Sequence, residues 1–258
     1  MRISLFQYQI DPNDPARNLS RIEGAAREAS SNQSDLLLLP ELCLHGYNYR
    51  EFPRMNEWFL PAVNPTLQQI CDSSHIDIAG TFVEQVDDIS YNTFAYFKQN
   101  STTVLSYRKA HIFKQLGEGD HFTPGSEYPL LGEAPLPFAA AICYDIRFPE
   151  QFRALTAKGC QLFLVSAEWP AARVDHWRAL LISRAIENQA FVVAVNCTGK
   201  VFHTDFAGNS IVIDPWGKVA AELGAEEGLL HVDISPEMVR DIRASFPVLA
   251  DIRGDIKP

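Results

Sequence analysis

Hydrophobic and polar positions along the chain predict a strand, a helix, a run of strands, and then alternating strands and helices. Ile3–Gln9 alternates like a strand, and Asp11–Asp14 is a turn. Pro15 opens a helix whose apolar positions Leu19, Ile22, Ala26 and Ala29 recur at helical spacing. Asp35–Leu39 is a short aliphatic run closed by Pro40-Glu41, and a run without polar alternation suits a strand covered on both faces. Leu42–Pro53, rich in Gly, Tyr, His and Asn, reads as a loop, and Pro65–Ser74 as a second helix. Ile76–Val83, Tyr91–Phe97 and Val104–Tyr107 are strand-like and separated by short polar turns, which predicts antiparallel neighbours. Ala110–Pro137 is too long for a simple connection, and long loops of this kind are usually functional.

The second half repeats the alternation. Phe138–Ile142 is uncharged and apolar, as in a buried strand, and Cys143 follows it directly. Pro149 and Glu150 open a helical pattern at Phe152, Leu155 and Ala157 that stops at Gly159. Strand Gln161–Ser166, a loop at Glu168-Trp169-Pro170, helix Val174–Glu187 and strand Phe191–Asn196 come next. Ser210–Ile213 and Lys218–Ala221 flank Asp214-Pro215-Trp216-Gly217, where Pro and Gly set a turn. Leu229–Ile234 is the last strand, followed by a short helix and a polar tail. No linker or low-complexity stretch interrupts residues 1–258, which predicts one domain. Helices between strands at both ends and an antiparallel middle predict an α/β fold of mixed sheets with helices outside.

Composition narrows the function classes. A chain of 258 residues with 47% hydrophobic positions can bury a sizeable core. A formal net charge of −10 offers no basic footprint for nucleic acid or an anionic membrane. No apolar run approaches the roughly 20 residues of a membrane helix. The five cysteines are irregularly spaced without a CxxC pair, which predicts reduced thiols in the cytoplasm rather than a disulfide framework or zinc knuckle. Among them, Cys43, Cys71, Cys160 and Cys197 read as structural, and Phe94, Tyr96, Trp177 and Phe191 as core. The seven histidines form no HxxxH or HExxH pattern, so no metal site is expected.

Three polar residues stand just past three apolar runs: Glu41, Lys109 and Cys143. If those strands lie side by side and point the same way, the three side chains meet at one edge, where open α/β folds bind ligands. A thiol needs a base to become the nucleophilic thiolate, and an ammonium can hold the charge that develops on an attacked carbonyl. Residue type alone leaves the bland reading open for each: a buried small thiol, a surface acid and a solvated lysine. A Cys–His dyad through His111 or His176 is also compatible with the sequence.

Pro40-Glu41-Leu42, Tyr107-Arg108-Lys109-Ala110-His111 and Cys143-Tyr144-Asp145-Ile146-Arg147-Phe148-Pro149-Glu150 resemble the three signature segments of the nitrilase superfamily of carbon–nitrogen hydrolases, in the family's order. Arg184-Ala185-Ile186-Glu187-Asn188-Gln189 and Asp214-Pro215-Trp216-Gly217 extend the resemblance over nearly the whole chain. It implies a four-layer α-β-β-α sandwich, commonly paired into homodimers or larger assemblies, with no cofactor or metal. It further implies that Cys143 attacks an amide carbon, that Glu41 moves the protons, and that Lys109 and the backbone N–H of Tyr144 hold the oxyanion. Glu118 matches a second glutamate that orients the lysine.

The context around Cys143 and Glu168-Trp169-Pro170 resembles the omega-amidase branch, which implies a small dicarboxylic monoamide such as 2-oxoglutaramate or succinamate as substrate. Arg173 is the candidate partner for its distal carboxylate, with Tyr47 and Trp169 as walls. Arg147 is the other candidate, unless it pairs with Asp145. The alternatives are a sibling amidase acting on deaminated glutathione, a sulfur-bearing oxo-acid amide or a carbamoyl amine, and a non-catalytic binding protein on the same fold.

Overall fold

A computed structural model describes residues 1–132 and 136–253. Its elements run β1 (Arg2–Gln7), α1 (Pro15–Ser31), β2 (Leu36–Leu38), α2 (Asn64–Ser74), β3 (Asp77–Val86), β4 (Ile89–Phe97) and β5 (Val104–Arg108). They continue with β6 (Phe138–Ile142), α3 (Pro149–Ala157), β7 (Leu162–Ala167), α4 (Val174–Asn188), β8 (Phe191–Asn196), β9 (Thr198–Val201) and β10 (Thr204–Ala207). The last are β11 (Ile211–Ile213), β12 (Val219–Glu222), β13 (Gly228–Asp233) and α5 (Pro236–Ser245). Residues 133–135, inside the long connection read from sequence, and 254–258 of the tail lie outside the described residues.

The strands form two large sheets, in the orders β13-β1-β2-β3-β4-β5 and β12-β11-β8-β7-β6, and a small hairpin β9-β10. Alternation along β2 shows why its sequence is all leucine. Leu36 and Leu38 point into the core shared with β6, β7 and β8, while Leu37 and Leu39 pack under α1 and α2. Opposite that core, Phe152 and Leu155 of α3 and Trp177 and Leu181 of α4 cover the outer face of the second sheet. The layers are therefore helix, sheet, sheet, helix, the sandwich that the resemblance implies. Leu37 is fully buried, and truncating it to alanine is expected to cost about 2–5 kcal/mol.

Local chemistry sets the element ends. Asp14 caps α1 by accepting from the Arg17 N–H, with Pro15 in the first turn. The β9-β10 hairpin was not expected, because its short strands Thr-Gly-Lys-Val and Thr-Asp-Phe-Ala carry too little apolar alternation.

One expectation about topology needs correction. The strands before Glu41, Lys109 and Cys143 are not side by side. β2 and β5 run the same way in the first sheet with β3 and β4 between them, and β6 edges the second sheet. The three residues meet across the gap between the sheets.

Candidate active site

Glu41 follows β2, and its fully buried carboxylate is held on both oxygens. Oε1 accepts from the Tyr47 hydroxyl at 2.7 Å, Asn92 Nδ2 at 2.8 Å and Lys109 Nζ at 2.8 Å. Oε2 accepts from the backbone N–H of Glu168 at 3.0 Å. Burial alone would raise the pKa of Glu41, but the Lys109 charge and these hydrogen bonds outweigh it and hold it below the ordinary value.

Lys109 leaves the end of β5 with its side chain buried. Its Nζ also donates to Glu118 at 2.8 and 2.9 Å, and sits 3.3 Å from the Tyr47 hydroxyl. Burial pushes its pKa down, and the two carboxylates more than reverse this, so the ammonium stays charged. Glu118 sits in a short 3-10 turn of the long connection, where its Oε2 also accepts from Phe113 N at 2.7 Å.

Cys143 begins a 3-10 turn, Cys143–Arg147, immediately after β6. Its φ is +44°, the left-handed region that a side chain enters at a cost of about 1–3 kcal/mol. Sγ lies 3.8 Å from the Glu168 carbonyl. Burial, then the Glu41 charge, raises the thiol pKa well above normal, and Lys109 offsets this only in part, so the resting sulfur is a neutral thiol. A neutral nucleophile beside an ionised carboxylate and an ammonium is a set that can pass a proton from sulfur to oxygen as a bond to carbon forms.

A cleft of about 320 Å³, including its mouth, opens at Cys143. Tyr47, Phe113, Tyr144 and Trp169 wall it, with Arg147 and Arg173 at its edge. The Arg147 guanidinium lies 4.7 Å from the centre of the Trp169 ring, and that of Arg173 lies 5.5 Å from the centre of Phe113. Among the described residues neither forms an ion pair. The alternative reading of Arg147 as a partner of Asp145 is thus overturned, because Asp145 is occupied by Tyr107, Ile142 and His111. Neither candidate dyad histidine is hydrogen-bonded to Sγ. His111 donates to Asp145, and His176 sits 3.5 Å from the Arg147 guanidinium.

The family model for carbon–nitrogen hydrolases matches residues 2–244. The chain belongs to the carbon–nitrogen hydrolase family. It is 38% identical over 255 residues to 2-oxoglutaramate amidase of Bacillus subtilis (strain 168), covering 98% of each chain. It is 29% identical to omega-amidase NIT2 of Bos taurus, over 99% of this chain and 96% of the relative. XC1258 of Xanthomonas campestris, a CN-hydrolase superfamily protein with an arsenic adduct in its active site, superposes with a TM-score of 0.89 at 27% identity, covering 100% and 99% of the two chains. A mutant amidase from Nesterenkonia sp. AN1, showing Michael addition of acrylamide at its active-site cysteine, superposes at 0.85 with 30% identity over 97% and 99%. The nitrilase-superfamily resemblance and the sandwich fold that it implies both hold in this hydrolase.

Two neighbours in the cluster escaped sequence reading. Asn92 of β4 donates to both Glu41 and Glu118. Glu168 is 2% exposed, its Oε1 has no hydrogen-bond partner, and burial and the nearby Glu41 charge push its pKa well up. Tyr47, read as a wall, is also a hydroxyl donor to Glu41. Cys43, Cys71, Cys160 and Cys197 are buried and unpaired. Among the described residues no group of three or more His, Cys, Asp and Glu is placed to hold a metal, and no helix is long and apolar enough to cross a membrane.

Proposed function

We propose that this hydrolase releases ammonia from the terminal amide of small dicarboxylic monoamides, of the 2-oxoglutaramate or succinamate type. The observation that carries the reading is full-length similarity to a 2-oxoglutaramate amidase together with two guanidiniums, of Arg147 and Arg173, at the rim of a cleft that ends on a cysteine. An arginine fork pairs both oxygens of a carboxylate, which suits the far end of such a substrate.

In this reading Glu41 takes the Sγ proton as the Cys143 sulfur bonds to the amide carbon. The carbonyl electrons move to oxygen, where Lys109 Nζ and the Tyr144 N–H receive the negative charge. Collapse breaks the C–N bond, and Glu41 returns its proton to the leaving nitrogen, giving ammonia and a thioester. Water then attacks the thioester, Glu41 again takes a proton, and the thiol and a carboxylic acid are released. Glu118 orients Lys109 and keeps it charged. Removing an oxyanion donor of this kind typically costs about 10²–10³ in rate.

The test is ammonia release from 2-oxoglutaramate, succinamate, glutamine and an aliphatic nitrile, beside Cys143→Ala. Preference for the first two, with a thioester seen by mass spectrometry and absent from Cys143→Ala, is expected. Release from none of them, or equal release by the alanine variant, removes the reading. The same proposal includes residues 1–258 acting as one domain, assembly into a homodimer, and the cytoplasm as location, which the five unpaired cysteines support. A sedimentation mass of one chain, 28.9 kDa, would remove the dimer.

A further inference from the structure

We propose that Asp145 and His111 act as a positioning clamp that holds Lys109 in register with Cys143 across the two sheets. The inference rests on the amidase reading for its chemistry, and its observation is a buried carboxyl filled by four donors. Asp145 is fully buried, two residues past Cys143. Its Oδ2 accepts from the Tyr107 hydroxyl at 2.8 Å and from Ile142 N at 2.9 Å. Its Oδ1 accepts from His111 N at 3.0 Å and His111 Nδ1 at 2.8 Å. With an acceptor facing it, the ring nitrogen Nδ1 carries the proton.

Asp145 and its donors bracket both reactive residues. Tyr107 stands two residues before Lys109 and His111 two after it; Ile142 and Asp145 stand on either side of Cys143. The Tyr107 hydroxyl in turn accepts from Ala110 N and from Gln151 Nε2 of α3, both at 3.0 Å, so the loop after β5 is fastened to the second sheet at several points. The His111 ring lies flat on Phe148, with centroids 3.8 Å apart and planes 7° from parallel.

Among the described residues the Lys109 side chain makes no direct hydrogen bond of its own to the second sheet. The Nζ partners Glu41, Glu118 and Tyr47 all come from the first sheet or its loops. Glu41 has its own ties to the second sheet, through the Glu168 N–H and through Ser166 Oγ, which donates to Leu39 O at 2.7 Å. Lys109 is thus tied to the second sheet by two routes, through the Glu41 carboxylate and through Asp145, and the Asp145 route is the one that grips the backbone flanking both Lys109 and Cys143. A shift of about 1 Å between reacting groups can cost on the order of 10²-fold in rate.

The test compares His111→Phe, which keeps a ring to stack on Phe148 and removes the Nδ1 donor, with His111→Asn, whose side-chain amide restores a donor. Asp145→Asn is the second site, and melting temperature is followed throughout. With succinamate, His111→Phe is expected to lose about 10- to 100-fold in kcat with KM changed less than about threefold, and His111→Asn to recover most of it. Cys143 alkylation by iodoacetamide is followed by peptide mass from pH 5 to 9. Its profile in His111→Phe should move to higher pH, because the Lys109 ammonium, which pulls the thiol down against Glu41, Glu118 and burial, no longer lies beside it. A folded His111→Phe protein with wild-type kcat, a loss confined to KM, or an unmoved alkylation profile overturns the clamp. So does His111→Asn being as impaired as His111→Phe. If the wild type cuts no amide, the functional reading fails, while alkylation still decides the clamp.

Discussion

The two sheets contribute unlike halves to one site. The first brings Glu41, Lys109, Glu118, Asn92 and Tyr47, a cluster whose charges are paired within the protein, with the Asn92 side-chain oxygen left over. The second brings Cys143 in a strained backbone conformation, a neutral thiol and Glu168 with an unpartnered oxygen; the guanidiniums of Arg147 and Arg173, in no ion pair among the described residues, line the cleft on the same side. Buried charges persist only when paired and hydrogen-bonded, so the charges of the first half are matched before substrate arrives. The second half has unspent valence, which is where a substrate can add contacts. The sharpest way to break this contrast is Glu41→Gln, which keeps the shape and removes the base. We expect kcat for ammonia release to fall by about 10³-fold or more, with the fold intact by circular dichroism. A loss under tenfold would mean that the proton goes elsewhere.

His45 sharpens the contrast from the other direction. It belongs to the first half, on the loop that carries Tyr47, yet it is a buried group kept neutral. Its Nδ1 is a long 3.4 Å from Gly46 O, Nε2 has no partner, and burial lowers its pKa to about 4. Its folded pKa thus lies below the unfolded value of about 6.5. The unfolded chain takes up a proton as pH falls through about 6.5, and the folded chain does so only near 4. Stability is whole above the first value and declines between the two, by at most about 3 kcal/mol. His45 packs edge-on against Phe52 and Phe59, so His45→Phe is a compatible replacement. Urea unfolding at pH 7 and 4.5 should show a smaller acid loss in the variant. Equal losses would mean that the ring is protonated in the folded protein.

The halves also differ in how far the sequence revealed them. The leucines of β2, the apolar Phe138–Ile142 and the punctuation by Pro15, Pro149 and Gly159 each fix local structure by short-range physics, and these elements were read with small errors at their ends. Glu41, Lys109 and Cys143 were visible because each ends an apolar run. Their meeting across two sheets was not, since strand order is a long-range property with no local signature. Asn92 left a signal that went unused: alternation puts it on the same face of β4 as Phe94 and Tyr96, and a polar residue on an apolar buried face needs a partner. Glu168 left a similar one, an acid at the end of a fully buried strand, just as Glu41 is. The hairpin β9-β10 left none.

The arginines test whether the open half reads substrate charge. For succinamate, Arg173→Ala is expected to raise KM about 10- to 30-fold with kcat little changed, the pattern of lost uniform binding. Arg147→Ala should cost less, about threefold to tenfold, since its guanidinium is already engaged over Trp169 and beside His176. Butyramide, which lacks the carboxylate, is the control. An equal rise in KM for both amides would mean that these side chains shape the cleft and do not read charge.

Glu168 gives the smallest expected effect and the finest distinction. It and Glu41 are both buried carboxyls, and Glu41 accepts from the Glu168 backbone N–H, yet burial and the Glu41 charge hold Glu168 protonated while Lys109 holds Glu41 ionised. A protonated carboxyl has one donor and one acceptor face, as a carboxamide has, so glutamine is close to an isostere of the group that is there. Glu168→Gln should therefore change kcat less than about threefold, against the 10³-fold expected from the same substitution at Glu41. Its backbone N–H and carbonyl, which reach Glu41 and Cys143, are untouched by the exchange. If kcat instead falls by orders of magnitude, Glu168 is ionised and works as a charge. The pairing of a closed ionic half with an open one whose buried groups are neutral would then be wrong at its centre.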